Sequence, residues 1–371
     1  MSELYAGLMS GTSLDGVDGV LVDFTPSLPR VLCHVSSPLP APLRQELLAL
    51  NSEGPNELHR AALAANALVR VYAAVVAQLL DAAQVSASAV RAVGAHGQTV
   101  RHRPQQFDAT GYTLQLNHPA LLAELTAIDV VADFRSRDVA AGGQGAPLVP
   151  PFHQAFFGQL PGCTGVLNIG GISNLTVLNA DNPAAILGFD CGPGNALMDA
   201  WCLTHTGAAY DDQGAWAAGG LVHADLLQAL LDEPFFAQLP PKSTGRDLFN
   251  NPWLQAKLSG FDGLAAQDVQ ATLTELTARS CADSVRQFAP ACAHLIVCGG
   301  GALNTYLMRR LQDLLPGCAV ASSATHGLAP LQVEATAFAW LARQCVERKT
   351  ASLKSVTGAQ GARILGAIYP A

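Results

Sequence analysis

The sequence predicts an α/β protein of two related halves with mixed sheets. Three observations carry this reading. Short apolar runs suited to strands alternate with longer helical stretches along the chain. Two segments, "LMSGTSLDGVDGVLVDF" at 8–24 and "VLNIGGISNLTVLNA" at 166–180, share one grammar of strand, Gly with Ser or Thr, strand. A Gly/Pro cluster, "AAGGQGAPLVPP" at 140–151, lies between the two series of elements that these segments head.

Element by element, the first half reads as strands at Leu4–Met9, Val17–Asp23 and Val31–Ser36, then helices at about 41–51 and 57–83. Strands return at Val90–Ala95, Tyr112–Leu116 and Ile128–Ala132. The second half opens with strands at Gly165–Ile169, Leu175–Leu178 and Ile186–Phe189. Helices follow at about 194–206, 220–231 and 267–288; a strand at His294–Cys298 runs into "GGG" and a further helix. The last long helix covers roughly 331–348.

The chain has 371 residues, 50% hydrophobic and 13% charged. That length lies between two and three domains at about 150 residues each. The mean hydropathy of +0.24 is high, so a membrane span has to be weighed. No window reaches about 18 uninterrupted apolar residues. The longest apolar helical stretch is broken by Asn66, Arg70, Gln78 and Asp81. The excess apolarity comes mainly from Ala, as expected for helices packed on both faces of buried sheets. A net charge of −8 and no basic run argue against nucleic acid as the main partner. The nine Cys are odd in number, scattered and without a CxxC pair, which favours reduced thiols in a cytoplasmic protein. No basic segment precedes the first strand, so no signal peptide is expected.

The opening hairpin carries more polar chemistry than a turn needs. In Gly11-Thr12-Ser13 a missing Cβ lets backbone N–H groups approach an anion, and two hydroxyls add donors. "NIGGISN", from Asn168 to Asn174, offers the same from the other half. "VCGGGALN", from Val297 to Asn304, is a strand running through three Gly toward a helix N-terminus, a geometry that suits a phosphate or nucleotide. There is no GxxxxGK[ST], which excludes a P-loop, and "CGGGALN" misses the GxGxxG spacing. Each Gly turn alone is ordinary; three from both halves point to a nucleotide cleft. A polyphosphate arrives with Mg²⁺, which takes carboxylates and water; Asp15, Asp18 and Asp190 are the candidates. Asp190 stands at the end of an apolar strand before Gly192-Pro193-Gly194, well placed as a base. Its ordinary alternative is a cap on the next helix, a place Asn195 could also fill.

"VADFRSRDVAAGGQGAPLVP" is the densest polar stretch, with Asp133, Arg135, Arg137 and Asp138 before Gly142-Gly143-Gln144-Gly145. Alternating charges usually form local ion pairs, yet Arg forks beside a Gly turn also suit a carboxylate or phosphate. His96, Gln98 and Thr99 end another strand; a lone His is more often structural. Lys242, Ser243, Thr244 and Arg246 lie in a loop, read as a cleft edge. Glu334 begins the last helix, where a Glu ordinarily compensates the dipole.

Taken together, "GLMSGTSLDGVD", "HGQTVRH", "ADFRSRDVAAGGQGAPLVP", "NIGGISN", "GFDCGPGN", "KSTGRDLFN", "CGGGALN" and the closing "LGAIYP" resemble the anhydro-N-acetylmuramic acid kinases. The resemblance runs from the first strand to the last residues. It implies two similar actin/hexokinase-like (ribonuclease H-like) α/β domains around a nucleotide cleft, 1–139 with about 331–371 forming one and 140–330 the other. It implies ATP with Mg²⁺, and a reaction in which 1,6-anhydro-N-acetylmuramic acid, water and ATP give N-acetylmuramic acid 6-phosphate and ADP in cell-wall recycling. Asp190 would be the base that takes a proton from the attacking water. Gly11, Thr12, Ser13, Leu14, Asp15, Gly16, Val17 and Asp18 would wrap the ATP phosphates, with Asp15 and Asp18 near the metal. Asn168, Gly170 and Gly171 would face the phosphates from the second domain, and Gly299, Gly300 and Gly301 would lie against the nucleoside. Glu334, Arg135, Gln144, His96 and Thr99 would serve the sugar. A homodimer without nucleic-acid or membrane partners, and domain closure on ligand, are further expectations. One departure stands out: Cys191 follows Asp190 where the family usually has Thr, and a thiol is the weaker hydrogen-bonding partner.

Three rivals share the same residues. A plain hexose or carboxylic-acid kinase of the superfamily would need a base only for a hydroxyl. A chaperone-like ATPase would use nucleotide to bind protein. An inactive paralogue is the third, motivated by Cys191.

Overall fold

The computed structural model describes residues 3–11, 14–182, 185–246 and 248–371. The chain divides into two units, Met1–Phe156 with Leu331–Ala371 and Phe157–Pro330. The first unit reaches past the expected boundary at 139/140 because the Gly cluster is tied into it. Gln144 N–H donates to the Thr357 carbonyl, and Gln360 N–H to that of Ala141, at 2.8 and 2.9 Å.

The first unit holds a six-stranded sheet. Strands β1 (Leu4–Met9), β2 (Gly16–Asp23) and β3 (Arg30–Pro38) form an antiparallel meander. β4 (Val90–Ala95) lies parallel to β1 on its other side. β5 (Gln98–Pro104) and β6 (Gly111–Leu116) leave the sheet as a separate hairpin. β7 (Val130–Ala132) runs parallel to β4. The second unit repeats the plan: β8 (Cys163–Ile169), β9 (Ile172–Asn179) and β10 (Leu187–Pro193) are antiparallel, and β11 (Cys292–Cys298) and β12 (Ala319–Ser322) continue in parallel beyond β8. The order β3-β2-β1-β4-β7 thus matches β10-β9-β8-β11-β12, and β13 (Ala367–Tyr369) adds only an antiparallel edge to the first sheet. The internal similarity read in the two Gly hairpins is therefore a repeated topology.

Helices cover both faces of the first sheet, which explains its strands' apolarity on both sides. Helix Glu57–Ala83 buries Leu68, Val69, Tyr72, Val75, Val76 and Leu79 over β2 and β3. It is long and apolar enough to cross a membrane by composition; that apolar face is the unit's core. On the other face, helix Val333–Val346 lies almost on the strand backbone. A Cβ built on Gly7 would stand 1.9 Å from the Ala335 carbonyl oxygen, and one on Gly94 2.1 Å from that of Phe338. Only Gly permits this approach, and it fixes where Glu334 begins its helix. In the second unit helix Ala266–Phe288 plays the central part, burying Val269, Leu273, Leu276, Cys281 and Val285 in a core shared with Phe189, Leu197 and Leu295.

Candidate functional site

In the first unit the β1–β2 turn is anchored from below. The buried Ser10 hydroxyl bonds the Tyr72 hydroxyl at 2.8 Å and donates to the Gly97 carbonyl at 3.1 Å. Gln98 donates to the Gly11 carbonyl at 3.1 Å, and Leu14 N–H closes the turn on it at 3.2 Å. Leu14 takes a left-handed φ of 59° with its side chain in the core, as is that of Val17; these two can face a ligand only with backbone. Thr12 and Ser13 lie outside the described residues. Gly16 has no room for a Cβ, which would meet the Ser37 carbonyl at 2.6 Å. Asp15 is exposed, while Asp18 is half-buried with its carboxylate 3.0 Å from His34 Nε2. Among the described residues no three or more His, Cys, Asp or Glu gather as a ligand set. Two acidic side chains still suit Mg²⁺, which takes one or two carboxylates and completes its shell with water and phosphate oxygens.

The same unit gathers His96, Arg135 and Glu334. Arg135 donates from Nη2 to His96 Nε2 at 2.8 Å and from Nη1 to the Gly145 carbonyl at 2.8 Å. Burial and then the Arg135 charge push the His96 pKa down to about 3, so the ring is neutral and accepts through Nε2. Burial lowers Arg135 to about 10, against the opposing charges of Glu334 and Asp138, and it stays a cation at neutral pH. Burial raises Glu334; Arg135 lowers it and Asp18 raises it, so one field links all three. Asp138 is fully buried and accepts from Gly145 N–H and the Thr357 hydroxyl, both at 2.8 Å, which fixes the loop around Arg135. Gln144 contributes a backbone bond to this frame. Thr99 stands on β5, its hydroxyl accepting from Gln115 at 3.2 Å.

In the second unit the Gly turns interlock. Asn195 N–H donates to the Gly170 carbonyl at 2.7 Å, Gly194 N–H to that of Gly171 at 3.0 Å, and Asn195 Nδ2 to that of Ile169 at 3.2 Å. A Cβ on Gly301 would meet Ile169 Cγ2 at 2.3 Å, and one on Gly299 would meet Asn168 Oδ1 at 2.4 Å. So Asn168, Gly170, Gly171 and Gly299–Gly301 form one packed cluster. The expected helix start directly after the Gly triplet is displaced. Gly299 turns with φ 76°, a 3₁₀ turn covers Gly300–Leu303, and the helix begins at Thr305 with Asn304 as its cap.

Asp190 lies on β10 and does not cap the following helix. That helix starts at Asn195 with no side-chain cap bond. The Asp190 carboxylate instead accepts from the Ser243 hydroxyl at 3.0 Å and Thr244 N–H at 2.9 Å. Burial lifts its pKa to about 6, only partly offset by those two donors and by Lys242. A carboxyl near pH 6 is ionised at neutral pH yet basic enough to take a proton. The grip of Ser243 and Thr244 is a role the sequence reading missed; a hydroxyl pair before Gly245 was its only trace. Cys191 belongs to the core with Phe189 and Leu273. The donors to the Asp190 carboxylate are Ser243 and Thr244, and the Cys191 thiol is not one of them, so the Thr-to-Cys departure does not alter the groups that hold it.

The family profile described as anhydro-N-acetylmuramic acid kinase matches residues 3–371. A relative of that name from Albidiferax ferrireducens is 67% identical, with 100% of both chains covered. Another from Variovorax paradoxus is 62% identical over 100% of this chain and 99% of its own. Among solved structures, the activator of the 2-hydroxyisocaproyl-CoA dehydratase from Clostridium difficile with bound ADPNP superposes with a TM-score of 0.50 at 11% identity, covering 94% of this chain and 96% of its own. That likeness shows the fold alone.

Proposed function

The chain belongs to the anhydro-N-acetylmuramic acid kinase family, an ATP-dependent kinase of an amino sugar, and from that premise we propose how its residues divide the work. Asp190 is the base. It takes a proton from a water whose oxygen attacks the anomeric carbon. The bond from that carbon to the bridging O6 breaks, O6 takes the γ-phosphoryl group, and ADP leaves. The observation that carries this is the Asp190 carboxylate, held by Ser243 and Thr244 and raised to about 6. Phosphoryl transfer needs alignment and charge stabilisation more than covalent help, which fits turns made of Gly and backbone N–H groups.

In this reading Gly11–Asp18, Asn168, Gly170 and Gly171 are the phosphate-binding residues. Gly299, Gly300 and Gly301 carry the nucleoside. Asp15 and Asp18 would hold Mg²⁺, which supplies neutralisation of phosphate charge. Arg135 is the charged fork for the sugar's carboxylate, with Glu334 orienting sugar or water and with His96, Gln144 and Thr99 around them. The protein works as a cytoplasmic homodimer in cell-wall recycling. The test is ADP release with 1,6-anhydro-N-acetylmuramic acid in ¹⁸O-water, followed by mass spectrometry. One ¹⁸O at the anomeric position of a phosphorylated sugar is the expected product. ADP release only with an ordinary hexose would remove the ring-opening step.

A further inference from the structure

Behind the strand that carries Asp190 lies a cavity of about 170 Å³, lined by Cys191, Phe236, Lys242, Ser280 and Ser284 among others. Cys191 faces it and Asp190 does not. Lys242 is 8% exposed, deep for a cation. Its ammonium stands 4.8 Å from the Phe235 ring centre and 5.8 Å from that of Phe189, with one long bond of 3.4 Å to the Phe236 carbonyl. Among the described residues no carboxylate lies within ion-pair distance of it. Burying a cation costs stability unless it is paired and hydrogen-bonded, and aromatic faces offset only part of that cost. The same residue's carbonyl accepts from Asp190 N–H at 3.1 Å, and the next two residues supply both donors to the Asp190 carboxylate.

We propose that Lys242 is a positioning residue for Asp190: its main chain and its buried ammonium pin the 242–244 loop to the strand and place a positive charge behind the carboxylate. This rests on the reading of Asp190 as the base. The other titratable groups about the strand are the Cys191 and Cys281 thiols, Asp283 at the cavity wall and Arg246 beside Gly171. Of the ionised groups, Lys242 is the one that favours the ionised carboxylate. Its loss, and any loosening of Ser243 and Thr244 that follows, both make Asp190 harder to ionise.

The experiment is kcat at saturating ATP and anhydro sugar from pH 5 to 9 for wild type, K242M, K242Q and K242R. In K242M and K242Q turnover at pH 6 should fall about five-fold relative to wild type, while at pH 8.5 it stays within about two-fold. K242R should follow the wild-type profile. Superimposed profiles, a uniform loss at every pH, or two neutral variants that fail to fold while K242R folds would each assign Lys242 to stability alone and overturn the proposal. Near-normal turnover in D190N would instead remove the underlying reading, and so is separable from it.

Discussion

Replacing Asp190 with Asn should cost activity and gain stability, with a pH signature that identifies the cause. Burial holds the folded carboxyl at about 6 against an ordinary 3.8. At about 1.4 kcal/mol per tenfold, that rise is worth about 3 kcal/mol against the ionised folded state. The Asn amide keeps an acceptor for Thr244 N–H, but the favourable longer-range field between Lys242 and the carboxylate is lost, so about 1–2 kcal/mol of net gain is expected at pH 7.5. The sign follows from linkage. Between about pH 4 and 6 the folded wild type binds the proton and the unfolded chain does not, so wild-type stability falls as pH rises; above about 6 the penalty is complete. The stability difference between D190N and wild type should therefore be small near pH 4, grow toward pH 6 and level off above pH 7. At about 2–4 °C per kcal/mol, Tm of the ligand-free variant should exceed wild type by about 2–8 °C at pH 7.5. Turnover should drop by about 10²-fold or more. A Tm difference that is constant from pH 4.5 to 8, or a variant less stable at pH 8, would refute the claim that burial strains this carboxylate.

Three further outcomes follow from the geometry. G7A or G94A should lose about 3 kcal/mol or more in denaturant unfolding, because the new methyl meets backbone of the helix that carries Glu334; near-wild-type stability would mean the helix can shift freely. R135M should raise KM for the anhydro sugar about 10-fold or more with KM for ATP little changed, the loss expected of charge-assisted hydrogen bonds; a selective rise in KM for ATP would reassign Arg135 to the nucleotide. C191T should leave kcat within about two-fold, since Cys191 faces the core and Ser284 is near to partner a hydroxyl; a large gain would place that side chain in the chemistry.

Much of the fold was legible because its cause is local. Leu4–Met9 and Val90–Ala95 are apolar runs of strand length, and Glu57–Ala83 is a long Ala-rich helix bounded by turn residues. The strand Gln98–Pro104 was not, because "QTVRHRP" is polar and ends in Pro; its order comes from pairing with Gly111–Leu116. The Gly turns announced themselves because only Gly tolerates neighbours so close, as at Gly301, where a Cβ would run into the Ile169 side chain.

By itself, then, the sequence determined the α/β alternation, the two Gly hairpins and the residues offered for a candidate site, since periodicity and turn chemistry act over a few neighbours. Tertiary structure decided what those residues are chemically. The Asp190 carboxyl reaches about 6 only through burial by the whole chain, partly offset by donors 53 and 54 positions away. His96 becomes a neutral acceptor because burial, and then Arg135, disfavour its cation, and Glu334 reaches its place because its helix rests on Gly7 and Gly94. Desolvation and close contact depend on what the whole chain packs around a group, and no local window of sequence contains that.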